Sequence, residues 1–325
     1  MDSKIHRGQY YLGYDIGGTK CSIVLGDKDF NLHEKIIFAT ETQRGHQEII
    51  NEFKEHSYEL LEKYNKGFLV KIGISCGGPL DSKEGIIYSP PNLPGWDSVP
   101  IVDIFKKEFD VPVEVQNDAN ACALAEWMMG AGQGTRNMIF LTFGTGMGAG
   151  LILNGKLYTG TNDLGGEVGH IRMADDGPVG FGKAGSFEGF CSGGGIARLA
   201  GSLINKKLQA GERVDFCPSP DQIKDVTARD VFQAANTGDP VAEEIVHISA
   251  DYLGQGLAIL IDILNPECIV IGSIYTRNEE LLKPLIEKVL EREAIPAANE
   301  VCKIVPAVLG DNIGDYAALS VALNK

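Results

Sequence analysis

The chain has 325 residues, 44% hydrophobic and 22% charged, with a formal net charge of −15. That length suits two domains of ordinary globular composition. The acidic balance excludes nucleic acid and anionic membrane as partners, although a nucleotide can be held where backbone N–H groups and a metal ion reverse the local field.

The first strand, Tyr10 to Tyr14, runs into Asp15 and a glycine turn, Gly17-Gly18-Thr19-Lys20, before a second strand at Cys21 to Leu25. A third apolar piece, Lys35 to Phe38, follows. Gly45 to Tyr64 has helical spacing, with Ile49, Ile50, Phe53, Leu60 and Leu61 on one side. Phe68 to Ile74 reads as a buried strand ending in SCGGP, and SPPNLPGW (Ser89 to Trp96) as a proline-stiffened loop. A short helix, Val102 to Phe109, and a strand, Val113 to Val115, lead to Asn117, which suits the N-cap of an Ala-rich helix from Asp118 to Met129.

A second strand–turn–strand unit occupies Met138 to Leu153. A Gly-rich tract, Gly160 to Gly195, precedes a long helix, Asp239 to Leu264, and a strand, Cys268 to Ile271. The chain closes with a helix from Asn278 to Arg292, a strand from Lys303 to Val308 and an Ala-rich end from Asp311. The seven cysteines are scattered without a C-x-x-C pair, which reads as free thiols in a reducing cytoplasm. MDSKIHRGQY has no secretory apolar core, and no run is long enough to span a bilayer.

YYLGYDIGGTKCSIVLG and MIFLTFGTGMGAGLILNG share one grammar: strand, Gly/Thr turn, strand. Either turn alone could be a tight hairpin with no ligand. Thr19 and Thr145 add hydroxyls beside exposed backbone N–H groups, and Asp15 would be costly to bury unpaired. A carboxylate beside N–H groups that cradle phosphate makes sense with Mg²⁺ between them. GTGMGA nearly matches a dinucleotide fingerprint, but that motif needs a following helix and here a strand follows. The GK[ST] ending of a P-loop is missing as well.

DIGGTK, the FGTGMGAG turn, SPPNLPGW, NDANA and EVGH, in this order, resemble the ROK family of sugar kinases, relatives of hexokinase and actin. The resemblance runs from about Tyr10 to the C-terminus. It implies an α/β, two-lobed actin-like ATPase (ribonuclease H-like) fold with mixed sheets, flanking helices and a cleft between lobes. It implies ATP and Mg²⁺ as cofactors, with Asp15, Gly17, Gly18, Thr19 and Lys20 as a first phosphate loop and Gly144, Thr145 and Gly146 as a second. Asp15 would hold Mg²⁺ through water, and Gly272 and Ser273 would lie near the adenine.

On the sugar side, Gly78, Asn92, Asn117, Asp118, Glu167, His170 and Glu188 match family contacts, with Asp118 as general base. Their bland readings are a rigid loop for Asn92, a helix cap for Asn117, a first-turn acid for Asp118 and a hydrogen-bonding His170. The helix dipole at Asp118 argues for a low pKa, tolerable where the nucleophile loses its proton late. The implied activity is phosphorylation of a hexose or N-acetylhexosamine by a glucokinase-like enzyme, a cytoplasmic homodimer with small-molecule partners only.

The sequence departs from the family where many members carry C-x-C-G-x-x-G-C-x-E. VGFGKAGSFE puts Val179, Phe181 and Ser186 at the three cysteine positions, so no zinc is expected. His170 then needs another partner, such as Ser186 or a backbone carbonyl, with Phe181 and Val179 packing in place of metal cross-linking. Ser273 stands where the family often has a second glycine. A DNA-binding regulator is disfavoured because only about ten residues precede the first strand. A catalytically inactive sugar-binding protein stays open as the alternative. The lobes are expected at residues 1–117 with 312–325, and 118–311.

Overall fold

The computed structural model describes residues 8–64 and 68–324. Residues 1–7 of the N-terminal stretch lie outside these. Two compact units emerge: Met1–Gln133 with Leu157–Gly165 and Leu309–Lys325, and Gly134–Lys156 with Gly166–Val308.

In the first unit the chain forms β1 (Gln9–Ile16), β2 (Lys20–Gly26), β3 (Leu32–Ala39), α1 (His46–Lys63) and β4 (Phe68–Cys76). The small strands β5 (Leu80–Asp81) and β6 (Ile86–Ile87) then precede α2 (Ile101–Phe109), β7 (Val113–Asn117) and α3 (Asp118–Met128). The sheet order is β3-β2-β1-β4-β7; the first three strands are antiparallel, and β1, β4 and β7 run parallel.

Side chains alternate across β1, so Tyr14 and Asp15 face opposite sides. Tyr14 is fully buried against Phe53 and Phe105, each ring centroid 4.9 Å away, and its hydroxyl meets Ser57 Oγ at 2.7 Å. Burying the aromatic body while satisfying its polar tip makes this contact stabilising.

In the second unit β8 (Met138–Phe143) and β9 (Met147–Leu153) form an antiparallel pair, and β10 (Lys156–Tyr158) falls at the division between units. The hairpin β11 (Val179–Gly180) and β12 (Lys183–Ala184) leads to α4 (Phe187–Cys191), α5 (Gly193–Gln209) and α6 (Ala228–Asn236). Next come α7 (Pro240–Leu264), β13 (Cys268–Ile271), α8 (Ile274–Arg277), α9 (Glu279–Glu293), α10 (Pro296–Val301) and β14 (Lys303–Pro306). The Asp239 side chain caps α7 by accepting from the N–H groups of Val241 and Ala242, with Pro240 at its first position.

The strand order β9-β8-β13-β14 repeats β2-β1-β4-β7: an antiparallel pair, then two parallel neighbours. These two mixed sheets with flanking helices are the α/β actin-like ATPase, ribonuclease H-like fold.

The last helix, α11 (Ile313–Leu323), returns to the first unit and covers the Asp15 face of its sheet. Gly13 and Gly73 sit opposite one another in register. A Cβ on Gly13 would lie 2.7 Å from Leu319 N, and one on Gly73 only 2.2 Å from Ala322 N. Any side chain at either position would push the helix off the sheet.

The expected boundary at residue 117 is corrected: α3 belongs to the first unit, which continues to Gln133. Its buried alanines, Ala119, Ala121, Ala123 and Ala125, lie around the helix, and their small size lets α3 pack closely within the same unit, against α11 among others. The fully buried Glu126 accepts hydrogen bonds from Ala131 N at 2.8 Å and Leu309 N at 3.0 Å, tying α3 to the residue that starts the C-terminal return. Among the described residues no helix is long and apolar enough to cross a membrane.

Candidate active site

In the first unit the turn after β1 is held from behind. Thr40, fully buried, donates to the Gly17 carbonyl at 2.6 Å, and its own N–H donates to the Thr19 carbonyl at 3.0 Å. Two carbonyls of the turn are thereby occupied. Gly18 abuts the SPPNLPGW loop: a Cβ there would lie 2.6 Å from the Asn92 carbonyl oxygen, and one on Gly77 3.2 Å from Asn92 Oδ1. The fully buried Trp96 anchors that loop. The turn, Asn92 and the Gly77-Gly78 pair are therefore neighbours.

Asn117 caps α3, its Oδ1 accepting from Asn120 N at 2.8 Å, and Asp118 Oδ1 accepts from Ala119 N at 2.8 Å. The expectation of a low Asp118 pKa is reversed. Desolvation by the surrounding protein pushes its carboxyl up, against the smaller lowering by the Ala119 and Asp118 backbone N–H groups. Asp118 itself is exposed to solvent, so it is the density of protein around the carboxyl that outweighs the helix terminus.

Asp15 is pushed up to about 6, by burial first, then by the negative charges of Asp315 and Asp118, with Lys20 and Lys35 opposing. Its Oδ2 would lie 3.0 Å from a Cβ on Gly314, so the carboxylate abuts the first turn of α11. Thr19 and Lys20 are exposed beside it.

The second unit carries the other turn. Its carbonyls are taken by the start of α5: Gly193 N donates to Gly144 O at 2.7 Å and Gly194 N to Thr145 O at 3.3 Å. These bonds also satisfy first-turn N–H groups of α5 that have no partner inside the helix. Glu188 Oε2 accepts from Met147 N at 3.1 Å, which places the carboxylate against this turn. A Cβ on Gly169 would lie 2.4 Å from Met147 O and 3.2 Å from Glu188 Cβ, so the segment bearing Glu167 and His170 packs beside Glu188.

Glu167 and His170 are exposed. The His170 ring meets Phe181 edge-on at 5.1 Å, and its carbonyl accepts from Lys183 Nζ at 2.5 Å. Ser186 is not the partner of His170; it caps α4. Val179 is 45% exposed, so it does not supply the expected packing. Gly272 follows β13, its N–H donating to Leu141 O at 3.0 Å, and Ser273 Oγ would lie 3.6 Å from a Cβ on Gly144.

The site residues expected from the sequence thus form two groups. Asp15, Gly17, Gly18, Thr19, Lys20, Gly78, Asn92, Asn117 and Asp118 belong to the first unit. Gly144, Thr145, Gly146, Glu167, His170, Glu188, Gly272 and Ser273 belong to the second. Sequence reasoning missed Thr40, Lys35 and Asp315; a lone threonine at a strand end and a helix-borne acid give no local signal. A cavity of about 1040 Å³ in the second unit includes Asp176, Val179, Phe190, Tyr252 and Arg292 in its lining and none of these candidates.

The donor set suits Mg²⁺ at Asp15: a desolvated hard-oxygen ligand, crowded by two further carboxylates, whose repulsion a cation relieves. It does not suit zinc, since valine and phenylalanine have no donor atoms. Among the described residues no group of three His, Cys, Asp or Glu side chains could hold a metal ion.

A family model described as ROK family matches residues 11–325. A glucokinase of Halalkalibacterium halodurans is 35% identical over 311 residues, covering 94% of this chain and 92% of that protein. The crystal structure of a ROK hexokinase from Thermus thermophilus aligns with a TM-score of 0.80 at 30% identity, covering 96% of this chain and 97% of that one. A ROK family glucokinase from Streptomyces griseus, solved in complex with glucose and AMPPNP, aligns with a TM-score of 0.72 at 29% identity, covering 96% and 99%.

Proposed function

This chain belongs to the ROK family, and we propose that it is an ATP-dependent sugar kinase of the glucokinase type. It transfers the terminal phosphoryl group of ATP to the primary 6-hydroxyl of a hexose or N-acetylhexosamine. The observation that carries this reading is Asp118, a solvent-accessible carboxyl raised in proton affinity by the protein around it, at the head of α3 and in the same unit as Asp15 and its glycine turn. The glucose and AMPPNP bound by the Streptomyces griseus relative support the ligand pair.

Phosphoryl transfer of this kind is governed by positioning and charge stabilisation. Backbone N–H groups of residues 17–19 and 145–146 hold phosphate oxygens, with the Thr19 and Thr145 hydroxyls and Lys20 beside them, while the Gly144 N–H closes its turn by donating to Gly146 O at 3.2 Å. Bound Mg²⁺, held by Asp15 through water, would offset phosphate charge. Asp118 accepts the proton of the attacking hydroxyl; its raised proton affinity makes it a better acceptor than a free carboxylate. Asn92, Asn117 and the backbone at Gly78 orient the sugar, and Glu167, His170 and Glu188 accept from its other hydroxyls. Gly272 and Ser273 face the adenine. We place the protein in the cytoplasm, in keeping with its seven free cysteines, and, on the resemblance to the ROK family alone, as a homodimer.

The rival reading, sugar binding without turnover, draws on Val179, Phe181 and Ser186. A coupled ATPase assay over glucose, fructose, mannose, allose and N-acetylated hexosamines decides between them. The kinase reading expects turnover with at least one sugar and a loss of about 10²–10⁴ in kcat for Asp118→Ala. Sugar binding without turnover in the parent, or an Asp118→Ala variant as fast as the parent, would overturn it.

A further inference from the structure

The segment from Ile171 to Cys191, which has Val179, Phe181 and Ser186 at the three cysteine positions, is closed on itself. Arg172 and Ser186 pair as an antiparallel bridge. Met173 N and Ala174 N both donate to Gly185 O, at 2.8 and 3.1 Å, and Gly185 N donates to Pro178 O at 3.1 Å.

Ser186, at the third of the cysteine positions, is fully buried. Its hydroxyl accepts from Gly189 N at 3.1 Å and donates to Gly180 O at 3.5 Å. A Cβ on Gly180 would lie 2.7 Å from that hydroxyl, and one on Gly189 only 2.1 Å from Pro178 O. Both positions must therefore lack a side chain for the strand and α4 to meet. Arg172 Nη1 gathers the outer side, donating to Ala184 O at 3.0 Å, Ala174 O at 3.4 Å and Asp175 O at 3.5 Å. Cys191 is not a spare ligand, because its thiol faces Ser249 O at 3.5 Å inside the core.

The closure has a target. Glu188 stands two residues past Ser186, in the five-residue helix that the serine caps, and its carboxylate is seated on Met147 N. So short a helix has little stability of its own, and its cap decides its direction. We propose that the Ser186 hydroxyl and the Arg172 guanidinium form a metal-free clasp that sets Glu188 against the second glycine turn and His170 beside it. They are positioning residues for sugar binding. That assignment rests on the reading of Glu188 and His170 as sugar contacts.

The test compares the parent with Arg172→Met, Arg172→Lys and Ser186→Ala. Hydrogen exchange of residues 171–191, with and without EDTA, reports the clasp directly. KM for sugar, KM for ATP and kcat report its consequence. Exchange in the segment should speed about five- to tenfold in Arg172→Met and Ser186→Ala, as expected for loss of a cap or of bonds to a charged group. Arg172→Lys should recover part of the protection, and EDTA should leave the parent unchanged.

Sugar KM should rise about as much as exchange does, with kcat and the KM for ATP nearly constant, the mark of lost ground-state binding. Unchanged exchange in both variants, or faster exchange of the parent in EDTA, would overturn the clasp. Faster exchange with an unmoved sugar KM would overturn its positioning role. A parent that phosphorylates no sugar would instead sink the kinase reading, while the exchange arm still decides the clasp.

Discussion

The carboxylate of Asp315 meets the ammonium of Lys35 at 2.5 Å, and the Ser22 hydroxyl donates to the same carboxylate at 3.4 Å. Ser22 lies directly opposite Asp15 in the β1–β2 register. The pair therefore fastens the first turn of α11 to the sheet face that carries Asp15. Asp315 is nearly buried, with a side chain 6% exposed, whereas that of Lys35 is 35% exposed.

Lys35→Met strands a buried charge. Breaking a fully buried pair costs about 3–5 kcal/mol, and the exposure of Lys35 lowers the expected loss here to about 2 kcal/mol. Urea denaturation of the single variant and of Lys35→Met with Asp315→Leu measures this. The double variant should recover most of the loss, because replacing both partners leaves no charge behind. Equal midpoints for the parent and Lys35→Met would show that the pair does not fasten the helix.

Asp15 makes stability depend on pH in an unusual direction. Its folded value, about 6, lies above the ordinary 3.8, so the folded state holds this proton more tightly than the unfolded chain. The contribution is full below about pH 4 and is lost as pH rises through about 6. Asp15→Asn should therefore be more stable than the parent at pH 8, by at most ~3 kcal/mol, with the gap shrinking at pH 5. Adding Mg²⁺ with ATP at pH 8 should stabilise the parent and not the variant. Thermal melting at both pH values checks this, and a gap independent of pH would refute the assignment.

Ser273 has φ 58° and ψ −107°, a backbone conformation that L side chains rarely adopt. Such a residue costs of order 1–3 kcal/mol, partly offset in a glycine variant by glycine's larger entropy loss on folding. Ser273→Gly should raise stability by about 1 kcal/mol and alter the KM for ATP, because the side chain stands next to Gly144. Melting curves and nucleotide titrations would show it. A lower melting temperature would mean that the hydroxyl contributes more than the strain costs.

The legible parts of this molecule were those written locally. The alternation that buries Tyr14 and turns Asp15 to the other face, the Asn117 cap and the Asp239–Pro240 start of α7 follow from residues a few positions apart. The illegible parts depend on distant chain. Asp118 carries a visible helix terminus and an invisible crowding by the protein around its carboxyl, and that desolvation sets the direction of its pKa. The partner of Lys35 lies at the far end of the sequence. The unit to which α3 belongs is decided by α11, which no pattern near residue 118 announces. The loss of the cysteines at 179, 181 and 186 was plain, but that Ser186 would turn inward to Gly180 and Gly189 was not.

The Gly13–Gly73 bed carries a consequence for biosynthesis. Both strands are translated before residues 166–308 of the second unit, and the helix that lies on them only after those residues. The nascent sheet must wait with one broad face bare through synthesis of the whole second unit. Holding-type chaperones should therefore engage the β1–β4 face of stalled chains and release it once residues 313–323 have emerged.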